Sequence, residues 1–489
     1  MGPLQARRFH EELRVLQEVD RHRSRELGEH QRHGGERHQS LAALGSAGSK
    51  RRGGSVELLP AQPAAQSRST QGREAAHELR AVSGHEARPE RSADAKARSA
   101  AESARSPLPG PPEFAAARAA STGEPAGSSA KGAGAAPASP GTAGPLAAAL
   151  AELVRGRTLA ESAAASAFEA IADGRASEPE IGALLALLAT RVPTAEELAG
   201  AVRVMRSRVR SIPTSVPAHE ILDTAGTGGA PKRFNASTAA AIVAASLGAK
   251  VAKHGNRSRT GRGSAEVLAA LGVNVDADPA AQARSIDRCG ICFAFAIHHH
   301  PAAKHALAAR RALPIPTIFN LVGPLVNPAG AMRQVVGVYH ASLLRPMAEA
   351  LVRLGSRRAL VLHSDDGLDE VSISAPTRIF EVEQGRIREW SADPAALVPA
   401  SADEAPIEAP ASLEQAAALL RAVLRGEERG WARRMALANS AAALLAADRV
   451  RSLEEGVAAA SGAIDFGDAW RTLEALVEHS GGRLVGGDR

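Results

Sequence analysis

The sequence predicts an α/β protein: a small N-terminal helical domain, then a larger α/β domain with a mostly parallel central sheet, and a long disordered leader ahead of both. Ala- and Leu-rich stretches of helical spacing follow residue 145. Short apolar strands then alternate with helices, which is typical of parallel βαβ units. The first 143 residues, rich in Arg, Ala, Gly, Ser and Pro, contain too few apolar residues to offset the entropy lost on folding.

We expect four segments: a leader over residues 1–143, a helical domain over 144–215, an α/β domain over 216–480 and a tail over 481–489. The leader has 21 Lys and Arg against 16 Asp and Glu, so it holds five of the six surplus positive charges of the chain. Weak binding to nucleic acid is one interpretation of that charge. Because both signs are mixed throughout, a solvated extension, or translation from a start codon placed too far upstream, is the favoured interpretation.

Composition narrows the class of protein. Two cysteines, Cys289 and Cys292, imply no disulfide framework and favour a reducing, cytoplasmic location. No run approaches the roughly 20 apolar residues of a membrane helix, so no membrane partner is expected. Aromatic residues make up 3% of the chain, which leaves few stacking platforms for single-stranded nucleic acid.

The elements follow in order along the chain. Residues 146–209 have the spacing of four short helices, with capping signals at Thr158, three residues before Glu161, and at Thr194. Apolar, β-tending runs then predict strands at residues 221–222, 250–253, 272–275, 291–297, 334–339 and 359–362. From Ser412 onward the spacing is helical again.

Two glycine-rich loops, each of which opens a helix, lie within residues 220–266. The first contains the run Gly226–Gly229 and leads into a helix whose free N–H groups the polar run Asn235–Thr238 could cap. The second covers residues 254–263 and ends at Ser264, which could cap another helix. Backbone N–H groups and helix dipoles at such places hold phosphate oxygens. The stretch therefore predicts a site for a substrate that carries more than one phosphate.

Three further groups could bind ligands. The loop Lys253–Ser258 brings an ammonium, an amide and a hydroxyl group beside the first glycine loop, beyond a strand end where ligands of α/β sheets bind. Acid residues in His363–Glu370 suit Mg²⁺, but they also suit an ordinary Asp-Gly turn. Arg310 and Arg311, on a helix that begins near Pro301, are either a surface pair or a clamp for a carboxylate.

The pair Cys289 and Cys292, followed by His298–His300, could indicate zinc or redox chemistry. Cys292, however, begins an apolar alternation that predicts a buried strand. The histidines lie beyond that strand, roughly 20 Å away at about 3.3 Å per residue. We therefore expect both cysteines to be structural.

Several motifs occur together in one order: GTGG at residues 226–229, NAST at 235–238, KHGNRS at 253–258, GSAE at 263–266, HPAAKH at 300–305, TIFNLVGPLVNP at 317–328 and DGLDE at 366–370. In this combination the chain closely resembles the anthranilate phosphoribosyltransferase family, over residues 145–476. The resemblance implies transfer of the phosphoribosyl group of 5-phosphoribosyl 1-diphosphate to anthranilate, the second enzyme step of the tryptophan branch. It also implies Mg²⁺, with two ions per active site, and a homodimer formed through the helical domain and part of residues 301–330.

The resemblance also assigns site residues. Contacts with 5-phosphoribosyl 1-diphosphate are implied for Gly226, Gly229, Ala230, Arg233, Asn235, Ser237, Thr238, Lys253, Gly255, Asn256, Arg257, Ser258, Thr260 and Ser264. Contacts with anthranilate are implied for Gly226, His254, Asn256 and Arg310, the last through the carboxylate, and metal contacts for Ser237, Asp369 and Glu370. No acid or base is implied, because the aniline nitrogen is neutral at pH 7; Lys253 and Arg257 would act electrostatically on the departing diphosphate.

The chain departs from the family pattern in both loops. GTGGA stands where GTGGD is usual, with one residue fewer before the Phe-Asn pair, and Arg233 replaces a Thr or Ser. The second loop is about one residue short and has the extra arginines Arg259 and Arg262, which could hold diphosphate. Pro316 replaces the Arg that usually precedes TIFN. Because the two changed loops face one ligand, correlated remodelling is the favoured interpretation.

Two other functions stay open. A pyrimidine nucleoside phosphorylase shares the architecture, but its loop usually has glycines where Asn256 stands, and it lacks TIFNLVGPLVNP. An inactive, nucleic-acid-binding relative would account for the basic leader and the extra arginines. The retained Arg310, Asp369 and Glu370 count against it, because nucleic acid binding needs no anthranilate site, so nucleic acid is not an expected partner.

Overall fold

The computed structural model describes residues 144–258, 260–401 and 404–485, so the predicted leader, Arg259 and the last four residues lie outside the described part. The helices are α1 (Ala147–Val154), α2 (Glu161–Ala172), α3 (Glu178–Ala189), α4 (Ala195–Ser207), α5 (Ala236–Ser246), α6 (Ser264–Ala270), α7 (Pro279–Cys289), α8 (Ala296–His299), α9 (Leu307–Ala312), α10 (Ile318–Val322), α11 (Leu344–Arg353), α12 (Pro394–Leu397), α13 (Leu413–Leu424), α14 (Trp431–Ala446), α15 (Leu453–Asp465) and α16 (Asp468–His479). The strands are β1 (Ile221–Thr224), β2 (Lys250–Gly255), β3 (Ile291–Phe295), β4 (Arg333–Gly337), β5 (Arg358–Ser364), β6 (Thr377–Glu383) and β7 (Arg386–Ala392). None of the described helices is long and apolar enough to cross a membrane.

Helices α1–α4 form the predicted N-terminal helical domain. The capping signal at Thr194 is confirmed, since Glu197 N–H donates to Thr194 Oγ1 over 3.2 Å and Thr194 N–H donates to Glu197 Oε2 over 2.9 Å. The signal at Thr158 is wrong: no side chain caps α2, and the Glu161 carboxylate pairs with Arg203 instead. Helix α4 packs against α11 and so joins this domain to the α/β domain. The boundaries at residues 215 and 480 stay predictions.

The central sheet has seven strands in the described residues, in the order β3-β2-β1-β4-β5-β6-β7. Strands β1–β5 are parallel, whereas β6 and β7 are antiparallel to their neighbours, so the mostly parallel sheet is confirmed. The terminal hairpin is additional to the predicted strands. Its turn, Gln384-Gly385, has φ of 49° and 79°, which is typical of a two-residue hairpin connection.

Apolar side chains cover the sheet from both sides. In β5, Leu360 and Leu362 point into a core with α5 and α14, whereas Ala359 and Val361 point into a second core with α11 and the helical domain. A strand buried on both faces reads as a continuous apolar run, and this one does. The alternating side chains of β5 therefore contribute to both cores, one on each face of the sheet.

Three strand predictions need correction, and one of them is the strand predicted at residues 334–339, which ends at Gly337. Gly272–Val275 forms no strand, because Gly272 leaves α6 with a φ of 100° and its carbonyl accepts from Arg483 N–H over 3.0 Å. The segment thus packs against the C-terminal part of the chain instead of the sheet. Strand β3 ends at Phe295, two residues earlier than predicted, since Ala296–His299 turns into a short helix that buries His299.

Both cysteines are free thiols in positions that fit a structural role. Cys292 lies buried in β3, as its apolar alternation predicts, and burial raises the pKa of its thiol. Cys289 ends α7, and its thiol donates to the Ser285 carbonyl 3.1 Å away. Burial also raises the pKa of the Cys289 thiol, so neither group is activated as a nucleophile at neutral pH.

Candidate active site

The C-terminal ends of the five parallel strands meet at one edge of the sheet, and most of the predicted site residues follow them. The first glycine loop (residues 225–234) follows β1, and the second glycine loop (residues 254–263) follows β2. The acid pair, Asp369 and Glu370, follows β5. Ligands of open α/β sheets bind at this edge, so the topology alone gathers the predicted groups.

The first glycine loop is fixed to the strands beside it. Thr227 N–H donates to the Gly337 carbonyl over 2.9 Å, and Thr227 Oγ1 accepts from Tyr339 N–H over 3.1 Å. At Gly226 an added Cβ would lie 2.9 Å from Asp369 Oδ2. The missing side chain therefore lets this loop approach the acid pair.

Helix α5 begins directly after the first glycine loop, and its N-terminus favours anions. Ser237 borders the cavity described below, and its carbonyl accepts from Thr224 Oγ1 over 2.8 Å. Thr238 Oγ1 is buried without a hydrogen-bond partner among the described residues. The predicted cap by Asn235 is wrong, because its amide Nδ2 instead donates to the Arg262 carbonyl 3.4 Å away.

Lys253, in β2, is buried and reaches the first glycine loop. Its Nζ donates to the carbonyls of Thr224 over 2.7 Å and His254 over 3.2 Å, which leaves one N–H for a ligand. Burial lowers the pKa of Lys253 to about 8, against the attraction of Asp223.

Asp223 accepts from His254 N–H and Asn327 Nδ2, and burial raises its pKa to about 6. Asp223 was not predicted; its sequence signal is a carboxylate inside an apolar strand.

The two glycine loops are joined at the carbonyl of Arg262. It accepts from Lys232 Nζ over 2.9 Å and from Asn235 Nδ2 over 3.4 Å. Much of the Lys232 side chain is exposed, yet desolvation of its ammonium lowers its pKa, and the carboxylates of Glu370 and Asp369 oppose that shift. Lys232 is absent from the predicted site residues. The signal that could have identified it is its position in the first glycine loop, which the sequence comparison predicts to be shortened.

The rest of the second glycine loop forms an exposed rim. Ser258 Oγ lies 3.0 Å from Thr260 Oγ1 and accepts from Arg262 N–H over 3.1 Å. Asn256 and Arg257 are exposed. The Arg257 guanidinium lies over the ring of Phe295, 5.7 Å from its centre, where cation–π attraction holds it beside the loop.

The other predicted loop residues border these groups. An added Cβ at Gly255 would lie 2.3 Å from Ser264 Oγ, so this glycine brings the end of β2 against the start of α6. Gly229 lies beside Tyr339, since a Cβ there would meet the tyrosine Cβ at 3.5 Å. Ala230 is half-buried and supplies only backbone polar atoms.

The acid pair lies at a cavity of about 20 Å³, bordered also by Gly226 and Ser237. Burial raises the pKa of Asp369, and burial together with the Asp369 charge raises the pKa of Glu370 to about 8. Two adjacent, half-buried carboxylates favour a cation between or beside them. The oxygen donors fit Mg²⁺, and because no group of three His, Cys, Asp or Glu gathers in the described residues, phosphate oxygens or waters would complete its ligands.

The remaining predicted site residues are Arg310 and His254, and His254 is paired with His300. The Arg310 guanidinium lies 5.0 Å from the centre of the Phe319 ring, burial lowers its pKa, and it has no ion-pair partner among the described residues. Its side chain shares no hydrogen bond with the described parts of the glycine loops.

His254 Nε2 lies 3.1 Å from His300 Nε2, and burial lowers the pKa of both imidazoles, to about 4 for His300. Both imidazoles are therefore neutral at pH 7.

Comparison with known proteins matches both parts of the chain. A model described as the helical bundle domain of a glycosyl transferase family matches residues 147–209, and one described as its a/b domain matches residues 218–470. The anthranilate phosphoribosyltransferase of Rubrobacter xylanophilus is 44% identical over 344 residues, which cover 69% of this chain and 98% of that protein. The chain belongs to the anthranilate phosphoribosyltransferase family. It is therefore an enzyme of the glycosyltransferase type.

Solved structures of this family share the fold. The anthranilate phosphoribosyltransferase of Thermus thermophilus superposes with a TM-score of 0.63 at 38% identity, over 68% of this chain and 99% of that one. The Saccharomyces cerevisiae enzyme, in complex with PRPP and Mg, gives a TM-score of 0.60 at 24% identity, over 69% and 98% of the two chains. The second likeness concerns the fold alone.

Within the anthranilate phosphoribosyltransferase family, the departures of this chain concentrate where the two loops meet. Arg233 Nη1 lies 3.8 Å from Asp366 Oδ2, so this arginine links the first glycine loop to the turn before the acid pair. Lys232 and Arg262 form the hydrogen bond between the loops. The guanidinium of Arg233 and the ammonium of Lys232 thus both lie between the first glycine loop and its neighbours, the turn before the acid pair and the second glycine loop.

Proposed function

We propose that this chain transfers the phosphoribosyl group of 5-phosphoribosyl 1-diphosphate to anthranilate. The products are N-(5-phosphoribosyl)anthranilate and diphosphate, a step of tryptophan biosynthesis. One observation carries the proposal: two glycine loops, a helix N-terminus and a half-buried acid pair lie at one edge of the sheet in a chain of this family. The pyrimidine nucleoside phosphorylase and the inactive relative have no such support.

The phosphate groups bind between the two glycine loops. The backbone N–H groups at the start of α5 and the third N–H of Lys253 point to ligand oxygens from one side. Ser258 and Thr260 offer hydroxyl groups from the rim. The side chains of Arg233, Arg257 and Arg262 add positive charge that attracts the phosphate groups.

Ser237 and the acid pair hold Mg²⁺, two ions per site, with Ser237 on one ion and Asp369 and Glu370 on the other. When bound, Mg²⁺ neutralises charge that develops on the departing diphosphate. Because the pKa of Glu370 is about 8, its carboxyl group stays protonated at neutral pH unless a nearby cation favours the ionised form. Metal binding should therefore release protons from this pair.

Anthranilate binds beside the same edge, with its carboxylate on Arg310 and its ring against Gly226, His254 and Asn256. Arg310 fits this role because it is half-buried and already oriented over Phe319. The neutral state of His254 suits contact with an uncharged amine. A half-buried guanidinium without a carboxylate partner among the described residues favours an anionic ligand.

The reaction needs positioning more than acid–base chemistry. The neutral aniline nitrogen forms a bond to the anomeric carbon as the bond from that carbon to the diphosphate oxygen breaks. The electron pair leaves with diphosphate, and the new secondary ammonium gives its extra proton to the departing diphosphate or to water. Lys253 and Arg257 stabilise the negative charge that collects on the leaving group.

The active protein is a homodimer formed through the helical domain and part of residues 301–330. Seven large apolar side chains stay exposed in the described residues, and four of them, Val154, Val192, Leu307 and Ile315, lie in these two regions. Exposed apolar side chains mark a protein interface when they form a continuous patch, and these four are the candidates for such a patch. A second copy of this chain is the partner we propose.

An assay with the full chain tests the proposed reaction. Anthranilate fluorescence should fall when 5-phosphoribosyl 1-diphosphate and Mg²⁺ are both present, and not when either is left out. Glu370→Gln should lower kcat by about 100-fold or more, since it removes a metal ligand. Phosphorolysis of thymidine by the same preparation, without any loss of anthranilate fluorescence, would instead indicate the nucleoside phosphorylase.

A further inference from the structure

Asn439 connects the C-terminal helices to the acid pair. It lies in the middle of α14 and is buried, with 6% of its surface exposed. Its Oδ1 accepts from Val371 N–H over 2.9 Å, and its Nδ2 donates to the Val371 carbonyl over 3.0 Å. A third hydrogen bond, from Nδ2 to the Met435 carbonyl over 2.9 Å, fixes the amide on its own helix.

Two hydrogen bonds to the backbone of one residue fix the orientation of the peptide groups on either side of it. Val371 directly follows Glu370, so one of the fixed peptide groups is the one that joins them. On the other side, Ser364 Oγ donates to the Glu370 carbonyl over 2.6 Å. The Glu370 backbone is thus held from β5 and from α14 together, although the two contacts are far apart in sequence.

Asn439 also borders the cavity that contains Ser237 and the acid pair. Asparagine is a poor residue for the interior of a helix, and a buried amide costs stability unless all of its groups are paired. Here the amide forms hydrogen bonds with Val371, in the loop that contains the acid pair. A residue that is unfavourable for the helix therefore contributes to the site.

We infer that Asn439 is a positioning residue that directs the Asp369 and Glu370 carboxylates toward the cation site. The inference rests on the proposed function, because it concerns the ions of that reaction. Without the amide, Val371 N–H and C=O lose their hydrogen bonds to α14, and the peptide group between Glu370 and Val371 is held only by Ser364 Oγ. The carboxylates would then bind a divalent cation less tightly.

The test compares Asn439→Ala with Ser440→Ala in the full chain. Ser440 is the next residue of α14, and its Oγ is buried without a hydrogen-bond partner among the described residues, so its removal disturbs the same helix without touching the acid loop. Mn²⁺ binding is measured by electron paramagnetic resonance, with and without 5-phosphoribosyl 1-diphosphate. Asn439→Ala should weaken Mn²⁺ binding by about 10- to 100-fold, the range known for groups that orient metal ligands. Ser440→Ala should leave it unchanged.

A second variant guards against loss of folding. Asn439→Gln keeps both polar groups but shifts them by one methylene, so it should fold and still weaken Mn²⁺ binding, by less than Asn439→Ala. The Mg²⁺ concentration for half-maximal activity should rise in parallel, while the KM for anthranilate changes little.

Two outcomes separate the inference from its premise. If Asn439→Ala and Asn439→Gln lower the melting temperature but bind Mn²⁺ as tightly as Ser440→Ala does, Asn439 is structural and the inference is overturned. If the wild-type chain shows no transfer to anthranilate, the proposed function fails, and the Mn²⁺ comparison still decides whether Asn439 positions the acid pair.

Discussion

Lys232 Nζ donates to the carbonyl of Arg262 over 2.9 Å, and this hydrogen bond joins the two shortened glycine loops. The ammonium also lies within the electrostatic reach of Glu370, Asp369 and Glu266. One side chain therefore supports the shape of the phosphate site and supplies part of its charge.

Replacement of Lys232 should have two opposite effects. Lys232→Met removes the link between the loops, so the KM for 5-phosphoribosyl 1-diphosphate should rise by roughly 10-fold, as expected for a lost charge-assisted hydrogen bond. It also removes a cation near the acid pair, so less Mg²⁺ should be needed for half-maximal activity. Steady-state kinetics measure both, with the exposed Lys304→Met as control. A fall in Mg²⁺ affinity would contradict the proposed electrostatic effect.

Arg310→Ala should act on anthranilate alone. Loss of a guanidinium that holds a carboxylate should raise the KM for anthranilate by about 10- to 100-fold, with the KM for 5-phosphoribosyl 1-diphosphate nearly unchanged. Arg311→Ala is the matched control, because it is the next residue of α9 and exposed. Equal kinetics for the two variants would remove the role assigned to Arg310.

The histidine pair predicts a loss of stability in acid. Unfolded histidines bind protons below about pH 6.5, whereas folded His300 does so near pH 4, with His254 and His299 beside it. Between these values the unfolded state binds more protons. The free energy of unfolding should therefore fall as the pH drops from about 6.5 to 4, by about 1.4 kcal/mol per pH unit for one histidine.

Denaturant unfolding at several pH values checks this dependence. His300→Gln should flatten the slope between pH 6.5 and 4, since glutamine does not titrate. His298→Gln is the control, because His298 belongs to the same run but is exposed. A slope that His300→Gln leaves as steep as in the wild type would show that other groups cause the loss.

The proposed dimer can be broken by charge. Leu307→Asp places a carboxylate among the exposed apolar residues of the helical domain and residues 301–330, and should shift sedimentation from dimer to monomer. Phe466→Asp is the matched control, since Phe466 is 78% exposed but lies near the C-terminus, directly after α15. Dissociation by Phe466→Asp alone would place the interface elsewhere.

Local signals explain which parts of the site could be predicted. Gly226, Ser237 and Asp369 belong to short motifs beside strand ends, and parallel topology brings such ends to one edge. Asn439 belongs to no such motif, and Asp223 is marked only as a carboxylate inside an apolar strand. The roles of both depend on contacts with residues 68 and 104 positions away, Val371 and Asn327. Contacts between residues so far apart in sequence depend on how the helices pack, and the residues next to them in the chain do not reveal that packing.

The same reasoning applies to the fold. The helix–strand alternation predicted the parallel strands correctly, because each buried strand is a short apolar run. It failed at Gly272–Val275, whose buried valines pack against the C-terminal segment and not within the sheet. Apolar runs indicate burial, and whether burial takes place in a strand depends on partners far along the chain.

Helix α5 has nine buried residues out of eleven, most of them alanines, and packs against β1, β2 and α14. Its N-terminus forms the floor of the phosphate site, whereas Asn256, Arg257 and Thr260 on the rim are exposed. Amide hydrogens in such a core exchange only when much of the protein opens, while those of the rim exchange quickly. The N-terminus of α5 therefore has the same conformation before and after substrate binds. Most of the conformational entropy lost on binding comes from the few residues of the rim.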